Sequence, residues 1–267
     1  SALEMAGEFN KYFASVFTEE DLDYVPEAPQ AFVGKDEDML RDVVITEEIV
    51  KAKLTKLRKD KAPGQDCEYR PVSLTSQLCK VFESIIRDEI VGHLEHKLLI
   101  KDSQHGFRGG RSCLSNLLLF LDRVTRCVDE GGSVDVLFLD FAKAFDKVPF
   151  KRLMSKLQSH GISGKVKAWI EEWLRDRYQR VCVDGVESEW RRVSSGVPQG
   201  SVLGPILFLI FINDLDDGLQ NWILKFADDT KVFGKINSLP DAMGLQMDLA
   251  RLLQWAREWQ MTFNVEK

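Results

Sequence analysis

Two adjacent acids interrupt an apolar segment near the C-terminal end, in the stretch ILKFADDTKVFGK (residues 223–235). The apolar residues on either side indicate two strands, and Asp is a favoured turn residue because its side chain bonds nearby backbone N–H groups. A two-residue loop of Asp228 and Asp229 would join the strands as a hairpin. Taken alone, the pair predicts only a turn, so a functional reading needs a second, independent observation.

A third acid ends a different apolar run, in the stretch SVDVLFLDF, which indicates a strand of the buried type. Asp140 directly follows this run, and a carboxylate at the end of such a strand is strongly desolvated unless a partner compensates its charge. As an alternative, Asp140 could cap a short helical turn formed by the segment FAKAFD.

Asp140 and the 228–229 pair together favour a metal site. Neither strand end has a local Lys or Arg pattern that would pair with its acid. Carboxylates from separate strands that converge on one point form an oxygen-rich site for Mg²⁺, a hard cation. Two such ions about 3.5–4 Å apart would activate an attacking hydroxyl and stabilise the leaving oxygen in phosphoryl transfer.

Composition limits the class of protein. The chain has 267 residues, 44% of them hydrophobic and 29% charged, which suits one large or two modest domains with a substantial core. No apolar run approaches the about 18 residues of a membrane helix, and no signal sequence opens the chain. The five cysteines are odd in number and widely spaced, which favours a reducing compartment. We therefore expect an intracellular protein, in the cytoplasm or the nucleus, that is neither secreted nor membrane-bound.

The charge is unevenly distributed. The net charge is −6, but residues 17–48 hold eleven acids against two bases, a local charge of −9 that leaves +3 for the remainder. An acidic N-terminal segment therefore precedes a mildly basic body. This distribution weakens the objection that a net negative chain cannot bind a polyanion.

Helical and strand patterns are mixed without regular βαβ alternation, which indicates the α+β class. Residues 1–45 read as an N-terminal helix and an acidic linker, and Thr46 is expected to cap the helix that follows. Ser112 is expected to cap another helix. That helix has an apolar stripe formed by Leu114, Leu117, Leu118, Leu121, Val124 and Val128.

The C-terminal half continues the mixed pattern. Residues 151–176 read as helices, and Asp184-Gly185 is expected to turn a hairpin. Residues 203–213 read as an apolar helix in which Pro205 is tolerable only in the first turn. The last seven residues, MTFNVEK, alternate as a strand would.

Five motifs resemble those of reverse transcriptases, and they occur along the chain in the same order as in that family. LFLDFAKAFD, SSGVPQGSVLGPILFLIFINDL and FADDT are similar to their A, B and C motifs, and YRPVSLTS and QHGFRGGRSC to the fingers motifs of non-LTR (LINE, jockey-type) retrotransposon polymerases. The resemblance covers most of residues 46–267. It implies a right-hand polymerase fold: a palm with a ferredoxin-like antiparallel sheet backed by helices, and a truncated, mainly helical fingers region. Fingers would occupy residues 46–135 and the palm 136–267, with 151–193 an insertion of helices and a hairpin.

The resemblance also implies a role for each acid and for the aromatic residues that follow Asp140. Asp140 and Asp228 would hold both of two Mg²⁺ ions, for which Mn²⁺ could substitute, and Asp229 would be a third, less direct carboxylate. Phe145 resembles the steric gate that excludes a ribose 2′-hydroxyl, although a core aromatic is the alternative for such a residue. Phe141 is grouped with it as a substrate-binding position.

Further positions match motif residues that contact substrate or template in this family. Gln199 and Gly200 would pack on the incoming nucleotide, with glycine allowing close backbone approach. Arg70 resembles the fingers arginine that meets the triphosphate. Arg108 and Arg111 would contact the template, whose phosphate backbone favours cations. Lys267 stands in the place of a late lysine and is a candidate general acid.

The implied function is an RNA-directed DNA polymerase that adds deoxynucleotides from their triphosphates to a DNA primer on an RNA template. Two departures from the family pattern are expected to matter: KAPGQDCEYRP joins two fingers motifs almost directly at Asp66–Cys67, and no thumb follows Lys267. They motivate an alternative, a catalytically impaired remnant that at most binds nucleic acid. A palm-like nucleotidyl cyclase is a weaker alternative that rests on fold analogy alone.

Overall fold

The computed structural model describes residues 1–56 and 76–265. Within these ranges the helices are α1 (Ala2–Ser15), α2 (Glu47–Thr55), α3 (Gln77–His96), α4 (Cys113–Asp129), α5 (Ala144–Lys147), α6 (Phe150–Ser159), α7 (Gly164–Leu174), α8 (Gly204–Phe211) and α9 (Leu239–Glu258). The strands are β1 (Val134–Leu139), β2 (Tyr178–Gln179), β3 (Cys182–Val183), β4 (Val186–Glu187), β5 (Arg191–Arg192), β6 (Trp222–Phe226) and β7 (Asp229–Lys235). Helices mixed with antiparallel strands confirm the predicted α+β class. No helix in these ranges is long and apolar enough to cross a membrane.

A three-stranded antiparallel sheet forms the centre of the fold, in the order β1-β7-β6. Its central strand, β7, buries Val232 and Phe233 and pairs with both neighbours. β1 is an edge strand and is only half-buried, so the prediction of a buried-type strand was wrong. Phe138, 72% exposed, faces solvent because an antiparallel sheet can leave one face uncovered.

The hairpin between β6 and β7 turns one residue earlier than predicted. Phe226 pairs with Asp229, so the two loop residues are Ala227 and Asp228, and Asp229 opens β7. Ala227 has a positive φ of 55°, as the first loop position of a type II′ turn requires. The β6–β7 register therefore determines which residues form the loop. The prediction from the turn preference of Asp alone placed the loop one residue too late.

Helix α8 is the core helix. All of its residues except Pro205 are buried, as expected for a helix that is apolar on every side. Pro205 lies in the first turn, where its missing N–H is harmless, as predicted. The Glu83 carboxylate on α3 is fully buried and accepts the N–H of Val202 at 2.7 Å, just ahead of the helix. A negative charge at this position complements the positive end of the helix dipole.

Helix α4 is capped by Ser112 as predicted, but it packs through an unexpected face. Its buried residues are Asn116 and Cys127, and Phe120 on the same face contacts Phe233 edge to face. The predicted stripe points outward: Leu114, Leu117, Leu118, Leu121 and Val128 are exposed. Polar contacts decide the face, because the Asn116 amide donates to the carbonyl of Lys225 and accepts from Lys231.

The N-terminal segment is docked on the body. Helix α1 forms as predicted, and Arg152, buried on α6, donates to the Glu20 carboxylate and to the carbonyls of Asp21 and Tyr24. Between α1 and α2 the segment contains a short 3₁₀ turn at Asp36–Asp38, and its assignment as a linker stays a prediction. The domain boundaries at residues 46 and 136 remain predictions.

The segment after α9 forms a single β-bridge, Phe141 with Phe263, in place of the predicted strand. Two backbone bonds hold it beside the end of β1: Ala142 N–H to Thr262 at 2.8 Å, and Asn264 N–H to the carbonyl of Asp140 at 2.8 Å. Within the described residues the pairing is limited to this bridge, so the alternation of apolar residues does not give a ladder. Its position brings Asn264 next to Asp140.

Candidate active site

Asp140 and Asp229 meet at one end of the sheet. Leu139 pairs with Thr230 in the β1–β7 ladder, and one further step in this register places Asp140 opposite Asp229. Both acids line a cavity of about 400 Å³, which we call the carboxylate cavity. The other residues around it are Cys113, Asn116, Phe138, Leu139, Phe226, Thr230, Lys231 and Asn264. Residues about 90 positions apart in the chain thus share one site.

Asp140 is held by the segment that follows α9. The Asn264 side-chain amide lies 3.4 Å from Asp140 Oδ2, in addition to the backbone bond between the two residues. Asp140 does not cap the next helix, because α5 begins after Lys143, which has a positive φ. The capping alternative for Asp140 is therefore wrong, and the carboxylate stays at the cavity.

The other two acids lie on the hairpin. Asp228 is half-buried at the second loop position, and its carbonyl accepts from the Thr230 hydroxyl at 3.2 Å. Asp229 is exposed at the start of β7. One cation stands close by: the Lys231 ammonium donates to Asn116 at 2.8 Å and lies 5.1 Å from the Phe120 ring centre. Strand pairing therefore fixes the backbone of Asp229, while Asp228 lies in the adjoining two-residue loop.

The oxygen donors around the cavity suit a hard divalent cation. Within residues 1–56 and 76–265, no three His, Cys, Asp or Glu side chains lie close enough to hold a metal ion by themselves. Mg²⁺ is seldom enclosed by protein alone: it is usually bound through one or two carboxylates together with substrate phosphates and water. Asp140 and Asp229 fit that pattern, with the cavity leaving room for the remaining ligands.

Phe145 belongs to an aromatic cluster with Phe107 and Phe208, which we call the aromatic wall. Its ring stacks on Phe208 of α8 with centres 4.5 Å apart, and Phe107 meets it edge to face at 6.3 Å. It is half-buried, so one part of the ring remains accessible. Phe141, in contrast, is only 2% exposed and stacks on Phe263 at 4.4 Å. The core position of Phe141 does not support the predicted substrate contact.

Gln199 and Gly200 lie on a loop that hydrogen bonds to Asp146 hold in place. The Gln199 amide donates to both oxygens of Asp146, and the Ser195 hydroxyl donates to the Asp146 carbonyl at 2.6 Å. Gly200 has a φ of 83°, a conformation that glycine adopts readily. Burial raises the pKa of Asp146, and the bond from Gln199 opposes that shift. Asp146 was missed from the sequence because its partner is 53 residues away.

Arg108 and Arg111 bind the loop that precedes them. Arg108 donates to the carbonyl of Lys101 at 2.9 Å, and Arg111 donates to the Asp102 carboxylate at 2.7 Å. Burial and the charge of Arg111 lower the pKa of Arg108. Arg70 and Lys267, the other predicted contacts, lie outside the described residues. In the described part of the chain, Asp140, Asp229 and Asn264 thus line the carboxylate cavity, whereas Asp228 in the adjoining loop does not line it, and Phe145 and Gln199 have separate supports.

Comparison of the sequence with models of known protein families identifies the family of this chain. The family described as "Reverse transcriptase (RNA-dependent DNA polymerase)" matches residues 58–267. The chain belongs to this family. The match spans the positions of all three acids, both arginines of the 108–111 loop and the Gln199-Gly200 pair, and it confirms the predicted family.

Curated relatives of this reverse transcriptase domain come from retrotransposons. It is 30% identical over 226 residues to the "Probable RNA-directed DNA polymerase from transposon BS" of Drosophila melanogaster, covering 81% of this chain and 25% of the relative. It is 31% identical over 216 residues to the "RNA-directed DNA polymerase from mobile element jockey" of the same organism, covering 78% of this chain and 24% of the relative. The prediction of a non-LTR, jockey-type member is confirmed. The chain spans about a quarter of the length of these relatives.

Solved structures support the polymerase fold. A telomerase of Candida tropicalis, solved with a fragment of telomeric RNA, is 14% identical to this chain. It superimposes with a TM-score of 0.50 over 69% of this chain and 32% of the telomerase. The reverse transcriptase domain thus has a palm-like α+β fold, as predicted.

Proposed function

We propose that this domain transfers nucleotides to a DNA primer on an RNA template, as part of a retrotransposon polymerase. The observation that supports the proposal is the shared cavity of Asp140 and Asp229 in a chain of the reverse transcriptase family. In the reaction, the primer 3′-oxygen forms a bond to the α-phosphorus of a deoxynucleoside triphosphate. The bond to pyrophosphate breaks, and the 3′-hydroxyl loses its proton.

Asp140, Asp228 and Asp229 would hold the divalent cations on which the family generally depends. We propose two Mg²⁺ ions, with Mn²⁺ as a substitute, because oxygen donors surround the cavity. When bound, such ions polarise the reacting oxygens and neutralise phosphate charge. The Asn264 amide beside Asp140 Oδ2 would keep that carboxylate turned toward the cavity. Asp229 would have the less direct role, and Lys267 is proposed as the general acid that protonates pyrophosphate.

The proposed substrate and template contacts are those of the residues that match the family's motifs. The fixed ring of Phe145 would exclude a 2′-hydroxyl, and Gln199 and Gly200 would pack against the incoming nucleotide, whose triphosphate Arg70 would meet. Arg108 and Arg111 would approach the phosphates of the template strand, where cations are favoured.

The cysteines that the structure describes are all free thiols, which supports a reducing compartment, the cytoplasm or the nucleus.

Primer extension on an RNA template, with deoxynucleoside triphosphates and Mg²⁺, tests this function. We expect incorporation by the wild-type domain and a loss of at least about 10²-fold in the Asp140→Asn and Asp229→Asn variants, the scale on which charge-stabilising groups act. Asp135→Asn is the matched control, since Asp135 is an exposed acid on β1, the strand that leads to Asp140, but does not line the cavity.

Two outcomes would contradict the proposal in different ways. Equal incorporation by the wild type and the Asp140 and Asp229 variants would remove those carboxylates from the site. Binding of RNA that weakens with salt, without any incorporation by the wild type, would favour the alternative of an impaired polymerase remnant.

A further inference from the structure

The turn that presents Asp228 and Asp229 is held in an unfavourable backbone conformation. Ala227, its first residue, has a φ of 55°, in the left-handed region that L-residues with a Cβ avoid. Glycine is the usual residue at the first position of such a turn because it has no Cβ. Ala227 is also buried, so its backbone N–H and C=O need partners inside the protein. Something outside the hairpin must therefore stabilise this turn.

The side chain of Gln104 supplies both partners. Its Oε1 accepts the N–H of Ala227 at 2.9 Å, and its Nε2 donates to the carbonyl of the same residue at 3.2 Å. Oε1 also accepts the N–H of Gly106 at 2.8 Å. Gln104 is 1% exposed, so no water replaces these bonds. An amide that binds both backbone groups of one residue fixes the orientation of that residue.

The backbone around Gln104 keeps its side chain in place. The N–H of His105 donates to the carbonyl of Lys225 at 2.8 Å, and the N–H of Lys225 donates to the carbonyl of Ser103 at 2.8 Å. Residues 103–106 thus lie along β6 as a short parallel addition. A Cβ on Gly106 would lie 2.4 Å from the backbone nitrogen of Ala227, so only glycine allows this approach.

We infer that Gln104 is a positioning residue for the β6–β7 hairpin, which it holds in the geometry that places Asp229 at the carboxylate cavity, with Asp228 next to it in the loop. This inference rests on the proposed function, because it assigns a purpose to the placement of those acids. Gln104 binds the backbone of Ala227, the residue directly ahead of both acids. Loss of the clamp allows the turn to relax, and the carboxylates then move relative to Asp140.

Hydrogen exchange of the backbone amides, followed by mass spectrometry of peptides that cover residues 223–233, tests the clamp without requiring activity. In Gln104→Ala we expect these amides to exchange roughly tenfold faster, because two bonds to Ala227 are lost. Gln104→Glu keeps an acceptor but sets a carboxylate oxygen against the Ala227 carbonyl, so exchange should rise there as well. Asn10→Ala is the matched control: Asn10 is another buried amide, bonded to Glu189, far from the hairpin in the chain.

A rescue separates positioning from general stability. Ala227→Gly removes the conformational cost of the turn, so the double variant Gln104→Ala/Ala227→Gly should recover much of the protection and of the primer-extension rate lost in Gln104→Ala. We expect Gln104→Ala to lower kcat about tenfold and to raise the Mg²⁺ concentration needed for half-maximal rate. Asn10→Ala should lower the melting temperature but leave the Mg²⁺ dependence unchanged.

Unchanged exchange of residues 223–233 in Gln104→Ala would overturn the inference, and so would a double variant that is no better protected than the single one. Both results are readable in a protein without polymerase activity. Failure of the proposed function alone would instead appear as absent incorporation by the wild type, with the exchange pattern as expected.

Discussion

The Gln199 side-chain amide donates to both carboxylate oxygens of Asp146, at 2.9 and 3.0 Å. The two residues are far apart in the chain, and Asp146 is buried on the short helix that follows Asp140. These bonds engage the Nε2 group of Gln199 and fix the orientation of its side chain. The orientation of a predicted nucleotide contact therefore depends on a carboxylate from another part of the chain.

Replacing Asp146 should weaken nucleotide binding more than turnover. We expect Asp146→Ala to raise the KM for the incoming nucleotide about tenfold, since a hydrogen bond to a charged group is lost, with a smaller change in kcat. Asp146→Asn keeps one acceptor oxygen, so its KM should fall between those of the wild type and Asp146→Ala. Steady-state primer extension measures both constants, and an unchanged KM in Asp146→Ala would show that Gln199 does not depend on this support.

The raised pKa of Asp146 adds a pH dependence to the same constant. Burial raises this pKa, so acidification protonates Asp146 before it protonates exposed acids and removes an acceptor from Gln199. The KM should therefore rise as the pH falls through the raised pKa. The Asp146→Asn variant, which has no carboxylate there, should lack this component, and identical pH profiles for the two proteins would contradict the assignment.

The buried ion pair of Lys156 and Asp214 should contribute strongly to the stability of the fold. Lys156 is 1% exposed, binds the Asp214 carboxylate and lies 3.3 Å from the Trp259 ring centre, while Trp255 donates to Asp214 at 3.1 Å. Lys156→Met leaves a carboxylate unpaired and should lower the free energy of unfolding by about 3–5 kcal/mol. Lys156→Met/Asp214→Asn should regain most of that loss, as measured by urea denaturation. A double variant no more stable than Lys156→Met would show that the charge left behind is not the cause.

The same lysine gives the stability an alkaline dependence. Burial outweighs the attraction of Asp214 and lowers the pKa of Lys156 from 10.5 to about 8. Between these values the unfolded chain still binds the proton and the folded protein has released it, so rising pH favours the folded state. The stability of the wild type relative to Lys156→Met should therefore increase by about 3 kcal/mol from pH 8 to 10.5. A pH-independent difference would mean that Lys156 keeps its proton in the folded protein.

Local signals in the sequence were sufficient where the chain interacts with itself over a few residues. The caps at Thr46 and Ser112 and the Asp184-Gly185 turn needed only neighbouring residues, and all three formed. The motifs and their order were sufficient to predict the family, whereas the roles of the three acids stay predictions. These features are set by short-range geometry or by direct resemblance.

Long-range polar contacts could not be predicted from the sequence. The burial of α4 through Asn116 depends on Lys225 and Lys231, more than 100 residues away, and the leucine stripe gave the helix but the wrong face. Gln104 and Asn264 were missed as supports of the site for the same reason. A buried amide is recognisable only once its partners are known, since its sequence neighbourhood is ordinary.

The aromatic wall predicts how the domain selects its sugar. Phe145 is held between Phe208 and Phe107, so its ring cannot move aside for a ribose 2′-hydroxyl. Phe145→Val should lower the discrimination against ribonucleotides by roughly 100-fold, the range expected when a pocket loses a steric barrier. Competition of dCTP with CTP in primer extension measures this ratio. Phe141→Val is the comparison, because Phe141 lies in the core, and equal discrimination in both variants would remove Phe145 from the nucleotide site.

Cys113 offers a chemical probe of the carboxylate cavity. It is exposed at the start of α4 and lines the cavity together with Asp140 and Asp229. Alkylation with N-ethylmaleimide adds a bulky group there, so it should abolish nucleotide incorporation. Cys113→Ser should keep its activity after the same treatment, whereas Cys182→Ser, which removes an exposed thiol on β3, should remain sensitive. Deoxynucleoside triphosphate with Mg²⁺ should slow the inactivation by occupying the cavity, and equal inactivation of the wild type and Cys113→Ser would place the reacting nucleotide elsewhere.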